Sequence, residues 1–236
     1  MTAIRAVLFD KDGTLFDFFG TWVPAYEIIA AELAEGDASL ALRLLEAGGH
    51  DPATGRVQPR SILAGGTNRE LAQLWAPMLG RSDVTTLESQ FDLFFRAHST
   101  TNAKPVTDLP ALFGRLRRRG LKLGVATMDS HAAAEAALAA FGIAGLIDFF
   151  TGYDTGHGTK PGPGMVEGFC RAVGVAAPAV AVVGDTLHDM EMARAAGAGL
   201  AIGVLTGNGA AADLEPHCDH LLASVAALPG FMRALR

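Results

Sequence analysis

Four short apolar runs and a weaker fifth, separated by helical stretches, constrain this chain more than any other feature of its sequence. Residues 4–9 are apolar on both alternating faces apart from Arg5 and run straight into Asp10. Residues 121–126 end at Thr127, residues 179–183 end at Gly184-Asp185, and residues 200–204 form the fourth run; residues 147–151 are the weaker one. A short run that is apolar on both faces suits a strand buried on both sides, the situation of a parallel sheet covered by crossover helices. The intervals carry helical patterns. Thr107 stands where it can cap a helix bearing Leu109, Leu112, Phe113 and Leu116, with Gly120 as its stop. Asp129 or Ser130 can cap an alanine-rich helix ending at Gly142, and residues 165–173 and 189–196 fill two further intervals. Alternating strand and helix predict an α/β fold with a parallel-sheet, Rossmann-like core.

The alternation breaks once. Residues 22–33, 39–47, 68–79 and 87–97 read as helices, with no strand run among them. This predicts a helical insert over residues 16–103, the core being residues 1–15 and 104–236, with linkers at 16–21 and 99–105. The chain has 236 residues, 50% of them hydrophobic and 19% charged, which excludes disorder as its main state. A net charge of −6 lacks the basic face of a nucleic-acid binder, so no nucleic-acid partner is expected. Two cysteines, Cys170 and Cys218, are too few for a disulfide framework. No apolar run reaches the ~18–20 residues of a membrane span, and the first residues do not read as a secretion signal. The expectation is a cytoplasmic protein without a membrane partner, as a monomer or homodimer.

Ligands of open α/β sheets bind beyond the carboxyl ends of the strands. Those ends carry Asp10 and Asp12, then Thr127, then Lys160 after a loop, then Asp185 and Asp189. Carboxylates, a hydroxyl and an ammonium together suit a divalent metal beside a phosphate. The segment Asp10-Lys11-Asp12-Gly13-Thr14-Leu15 resembles the first signature of the haloacid dehalogenase-like superfamily, D-x-D-G-T-[LV]. The other signatures follow in that family's order: a strand ending at Thr127, the pair Lys160-Pro161, and G-D-x-x-x-D from Gly184 to Asp189. The insert lies where that family places its type-1 cap, and the chain looks most like the phosphoglycolate phosphatase-like branch.

The resemblance implies a Mg²⁺-dependent phosphatase acting on a small phosphorylated metabolite, 2-phosphoglycolate being the single best choice. It implies Asp10 as nucleophile, forming an aspartyl phosphate, and Asp12 as acid and then base. Thr127 and Lys160 would hold phosphoryl oxygens, helped by backbone amides near Gly13, where a missing side chain lets the backbone approach the phosphate. The metal set would be Asp10, Asp185 and the backbone carbonyl of Asp12, with Asp189 acting through water or by orienting Lys160. Asp12 itself argues for phosphate-ester chemistry, since the family's dehalogenases lack an acid there. Two alternatives remain: a sugar phosphomutase of the same superfamily, and a phospho-accepting signalling or binding module without turnover.

Two departures stand out. Gly164 occupies a slot that is often acidic in K-P-x-P-[DE], and Met128 replaces a frequent Asn after Thr127. In the insert, Arg56, Arg60, Thr67, Asn68 and Arg69 are the candidate substrate contacts, Arg60 foremost; the simpler reading is a solvated loop with Thr67 or Asn68 as a helix cap. His217, Cys218 and His220 lack a second ligand pair for zinc, and residues 218–222 resemble the family's last strand. His188 is expected on a helix surface.

Overall fold

The computed structural model describes residues 2–235. In chain order the elements are β1 (Ala6–Phe9), α1 (Phe18–Leu33), α2 (Ala38–Gly48), β2 (His50–Asp51), β3 (Arg56–Val57), α3 (Ile62–Gly65), α4 (Asn68–Met78) and α5 (Val84–Asn102). There follow α6 (Leu109–Arg117), β4 (Lys122–Ala126), α7 (His131–Ala140), β5 (Phe149–Thr151), α8 (Gly164–Val173), β6 (Val180–Gly184), α9 (Leu187–Ala195), β7 (Leu200–Val204), α10 (Ala211–Leu214), β8 (His220–Leu222) and α11 (Leu228–Ala234).

Six strands form one sheet in the order β5-β4-β1-β6-β7-β8, every pair parallel. The apolar runs make this possible because each feeds both faces. Val7 and Phe9 of β1, with Ala181 and Val183 of β6, enter one core, packed by Leu112, Phe113 and Leu116 of α6 and by Leu228 and Met232 of α11. Ala6 and Leu8, with Val180 and Val182, enter the other, packed by Met165, Val166 and Phe169 of α8 and Met190 and Met192 of α9. Alternate side chains of one strand therefore point into two different cores, the period-two geometry of a strand buried on both sides.

Residues between β1 and β4 build a third core of their own. Trp22, Ile29, Leu44, Leu71, Trp75, Leu87, Phe91 and Phe95 pack together, with Trp75 edge-on to Phe91 at 5.6 Å between centroids. α1 starts at Phe18, because the Asp17 carboxylate accepts from the Gly20 N–H, and α5 runs on to Asn102. The connecting segments are thus shorter than the sequence suggests. The insert also contains a small antiparallel pair, β2 with β3, which the sequence reading does not anticipate. Two residues a side leave no periodicity to detect; the turn is held instead by Asp51, which accepts from the Ala53 N–H and the Thr54 hydroxyl. Asp108, rather than Thr107, caps α6, accepting from the Ala111 N–H at 2.9 Å. Ser130 is the cap of α7, and Thr67 caps α4 with Glu70 completing a capping box.

Candidate active site

β1 pairs with β4 on one side and β6 on the other, so the chain changes direction across the sheet at β1. Adjacent connections there leave on opposite faces, and the carboxyl ends of the three strands open a crevice. Asp10 follows β1, Thr127 follows β4, and Asp185 follows β6. Lys160 arrives from the loop after β5, and Asp189 sits in the first turn of α9, where its carboxylate accepts from the Thr186 N–H and hydroxyl at 3.1 and 2.7 Å. The insert covers this crevice with Trp22 and Tyr26 of α1, residues 62–68, and Phe95 of α5.

Lys160 is the hub of the charged layer. Its ammonium donates to Asp10 Oδ1 at 2.5 Å and Asp189 Oδ1 at 2.6 Å, with all three groups buried. Burial alone would disfavour that charge, but the two carboxylates outweigh it and hold the lysine protonated. Asp185 is held by the Asn208 N–H at 2.8 Å and the Thr14 hydroxyl at 3.4 Å. Burial, then the neighbouring carboxylates of Asp10 and Asp189, push its proton affinity well up. Asp10 is raised to about 7, chiefly by burial and against the pull of Lys160, with Asp189 and Asp12 adding to the rise.

One ligand atom each from Asp10, Asp185 and Asp189 falls within 4.8 Å of the others. Asp10 Oδ2 has no hydrogen-bond partner among the described residues. Buried, mutually repelling carboxylates with an oxygen left over are what a hard divalent cation satisfies, so the residues present suit one. Asp189 spends both oxygens on Lys160 and Thr186, which favours its orienting role over direct ligation.

Asp12 lies outside that group. Its Oδ2 pairs with Lys11 at 2.6 Å, and its Oδ1 has no partner among the described residues. Lys11 also reaches Asp129 at 3.3 Å and lies 5.3 Å from the ring centroid of Trp22. It is 1% exposed. Burial opposes its charge, but Asp12 and Asp129 more than compensate and raise its proton affinity. Burial raises Asp129 to about 6 against the pull of Lys11. This second charged layer, Asp12-Lys11-Asp129, escapes sequence reasoning. Lys11 sits in a variable motif position and Asp129 reads as a helix cap; the one available signal is that Asp129 follows Thr127 at a strand end.

The turn after β7 is the other omission. Gly207 lies so close that a Cβ there would meet Asp185 Oδ2 at 1.9 Å and the Gly13 Cα at 2.6 Å. A Cβ on Gly13, at φ +88°, would meet the same carboxylate at 2.3 Å. The Thr206 hydroxyl donates to the Gly13 carbonyl at 2.6 Å. Two glycines thus let the carboxyl ends of β1 and β7 close around Asp185. The Thr-Gly-Asn-Gly sequence at 206–209 was the legible hint.

Thr127 is buried and lines the cavity, its hydroxyl accepting from the Asp129 N–H at 3.1 Å. Met128 lines it too, and so does His188, which the sequence reading put on a helix surface. Arg60 does not line this cavity. Its guanidinium is paired with Glu191 at 3.4 Å and is 59% exposed, and it lines a smaller neighbouring pocket with His188 and Thr186. Arg56 stacks on Phe19 at 4.5 Å, and Arg69 pairs with Glu88 at 3.0 Å. Of the insert's candidates only Thr67 and Asn68 line the cavity. The missing acid at Gly164 has a steric cause: a Cβ there would stand 2.0 Å from the His157 carbonyl oxygen. His217, Cys218 and His220 are not among the residues that cluster as metal ligands, and His220 begins β8.

The family model for haloacid dehalogenase-like hydrolases matches residues 4–197. The chain is 27% identical to the N-acetylmuramic acid 6-phosphate phosphatase of Pseudomonas aeruginosa, over 82% of this chain and 79% of that protein. It is 29% identical to the phosphoglycolate phosphatase of Rhodospirillum rubrum, over 82% and 76%. Its fold superposes on a haloacid dehalogenase-like hydrolase of Streptococcus pneumoniae with a TM-score of 0.71, at 18% identity, covering 98% of this chain and all of that one. No helix among the described residues is long and apolar enough to cross a membrane. With the signatures gathered at one sheet edge, the chain belongs to the haloacid dehalogenase-like hydrolase family, in its phosphoglycolate phosphatase-like branch, and is an enzyme of the phosphatase class.

Proposed function

We propose that the protein is a Mg²⁺-dependent phosphatase that hydrolyses a small phosphate monoester through an aspartyl phosphate on Asp10. The observation that carries this reading is the state of Asp10: one oxygen is tied to Lys160, and the other is buried, at the cavity, and without a hydrogen-bond partner. Asp10, Asp185 and the Asp12 backbone carbonyl would hold the metal. Bound there, Mg²⁺ neutralises part of the phosphate's charge and orients the ester.

The chain's own residues account for the remaining chemistry. Asp10 attacks phosphorus as the ester P–O bond breaks, and protonated Asp12 gives its proton to the departing alkoxide. Asp12, now a carboxylate, takes a proton from the water that attacks the aspartyl phosphate, and the bond to Asp10 breaks to release phosphate. Lys160, positioned by Asp189, and the Thr127 hydroxyl hold phosphoryl oxygens as charge builds. Gly13 allows the backbone to approach. Trp22 and Tyr26 line the insert side of the cavity, where the leaving group would pack.

A small phosphorylated metabolite is the proposed partner, and 2-phosphoglycolate, the ester named by several relatives, is the first to assay. The test is phosphate release from a panel of monoesters with Mg²⁺ and then with EDTA. Release that stops on chelation supports the reading; release that persists with the metal removed overturns the metal requirement.

A further inference from the structure

The wall that faces the leaving group carries no spare positive charge. On the insert side it is made of Trp22, Tyr26, Phe95, Leu71 and Ile62, with Trp22 and Tyr26 stacked at 6.0 Å and 23° between planes. The three polar side chains there, Tyr26, Thr67 and Asn68, each donate within the insert. The Thr67 hydroxyl donates to Glu70 at 3.0 Å, and the Asn68 amide nitrogen donates to Asp92 at 2.8 Å. The Tyr26 hydroxyl donates to the Leu63 carbonyl at 3.0 Å.

Cations that would serve a second anion are turned elsewhere. Arg56, Arg60 and Arg69 are engaged with Phe19, Glu191 and Glu88 and do not line the cavity; Arg60 lines a smaller neighbouring pocket that shares Ala64, Thr186 and His188 with it. Among the described residues, Lys160 is the one lysine or arginine that does, and it lies between Asp10 and Asp189 at the phosphoryl end. His188, the remaining base, packs toward the insert, its Nδ1 3.3 Å from where a Cβ on Gly65 would stand. On the core side Asp12 and Asp129 line the cavity, and the ammonium of Lys11, which does not line it, is held between them.

We infer that the natural leaving group is an uncharged alcohol with a flat or apolar face, which packs on Trp22 and Tyr26, and that it carries no carboxylate. A carboxylate placed there would lose its water and gain no lysine or arginine partner, both of which oppose binding. A flat apolar group gains contact area on the aromatic wall. This inference rests on the phosphatase reading above. It departs from the ester that the relatives' names point to.

The test compares two esters of nearly equal size that differ in charge, 2-phosphoglycolate and 2-hydroxyethyl phosphate, together with benzyl phosphate, all with Mg²⁺ and the unaltered protein. The expected order of kcat/KM is benzyl phosphate, then 2-hydroxyethyl phosphate, then 2-phosphoglycolate, the last lower than its neutral counterpart by about tenfold or more. Equal or greater kcat/KM for 2-phosphoglycolate overturns the inference and leaves the phosphatase reading standing. No phosphate from any of the three esters or from the wider panel removes the phosphatase reading, and this inference falls with it. As an internal check, Trp22→Phe should retain the order, and Trp22→Ala should cost benzyl phosphate more than 2-hydroxyethyl phosphate. Equal losses for the two esters in a folded Trp22→Ala protein would also overturn it.

Discussion

Replacing Lys11 with methionine tests the second charged layer directly. The ammonium is shared by Asp12 at 2.6 Å and Asp129 at 3.3 Å, and it is 1% exposed. Methionine fills a similar volume, so the main effect is to leave two partly buried carboxylates, Asp12 and Asp129, without their shared cation. Breaking a buried ion pair by removing one partner costs about 3–5 kcal/mol. For a chain of this size that corresponds to a fall in Tm of roughly 6–20 °C. The cost should depend on pH. With Lys11 present, Asp129 titrates at about 6 in the folded protein, above its unfolded value of 3.8. A carboxyl raised on folding binds a proton that the unfolded chain does not, so its contribution to stability falls as pH rises toward the folded value and then levels. Without the ammonium the folded value moves higher, so the fall continues above pH 6, by up to about 1.4 kcal/mol per pH unit. Urea unfolding at pH 6 and pH 8 measures this, on Lys11→Met, Asp129→Asn and the double variant. The deficit of Lys11→Met should be larger at pH 8, and Asp129→Asn should recover part of it. A Lys11→Met protein within about 1 kcal/mol of the parent at both pH values, with additive effects in the double variant, would refute the reasoning.

Asp10→Asn should abolish turnover while leaving the far-UV circular dichroism unchanged; near-parental activity would sink the covalent route through Asp10. In EDTA, the folded protein should gain stability as pH falls from 7 toward 4, because Asp10 at about 7 and the raised Asp185 take up protons that the unfolded chain does not. Millimolar Mg²⁺ should reverse that trend, with apparent affinity increasing as pH rises; thermal unfolding with and without the metal measures both. Gly207→Ala, whose Cβ would stand 1.9 Å from Asp185 Oδ2, should cost about 1–3 kcal/mol in urea and weaken the apparent affinity for Mg²⁺.

Much of the proposed catalytic layer was legible because it is local in sequence. Asp10, Asp12 and Gly13 are adjacent along the chain, and Thr127, Asp185 and Asp189 each stand at or just beyond the end of an apolar run. A strand buried on both faces needs unbroken apolar residues, and its carboxyl end is where the first polar residue appears, so such a run announces both the sheet and the site. The helical insert was legible for the same reason, as a stretch where that pattern is missing. The two-residue strands β2 and β3 were not, since their pairing depends on a side-chain-held turn and not on periodicity.

What only the tertiary structure decided is which charges meet. Lys11 and Asp129 lie 118 positions apart, and nothing in either neighbourhood announces that they share Asp12's layer beneath Trp22. Arg60, placed by sequence in a glycine-rich stretch beside the site, is drawn outward by Glu191 on α9, a partner 131 positions away. The sequence by itself determined the parallel sheet and the strand ends at which the proposed reactive residues stand, because burial acts on contiguous residues. The direction of each insert arginine, the aromatic wall and the closure of the 206–209 turn on Asp185 were decided by packing between distant segments, where side chains compete for partners that no local pattern encodes.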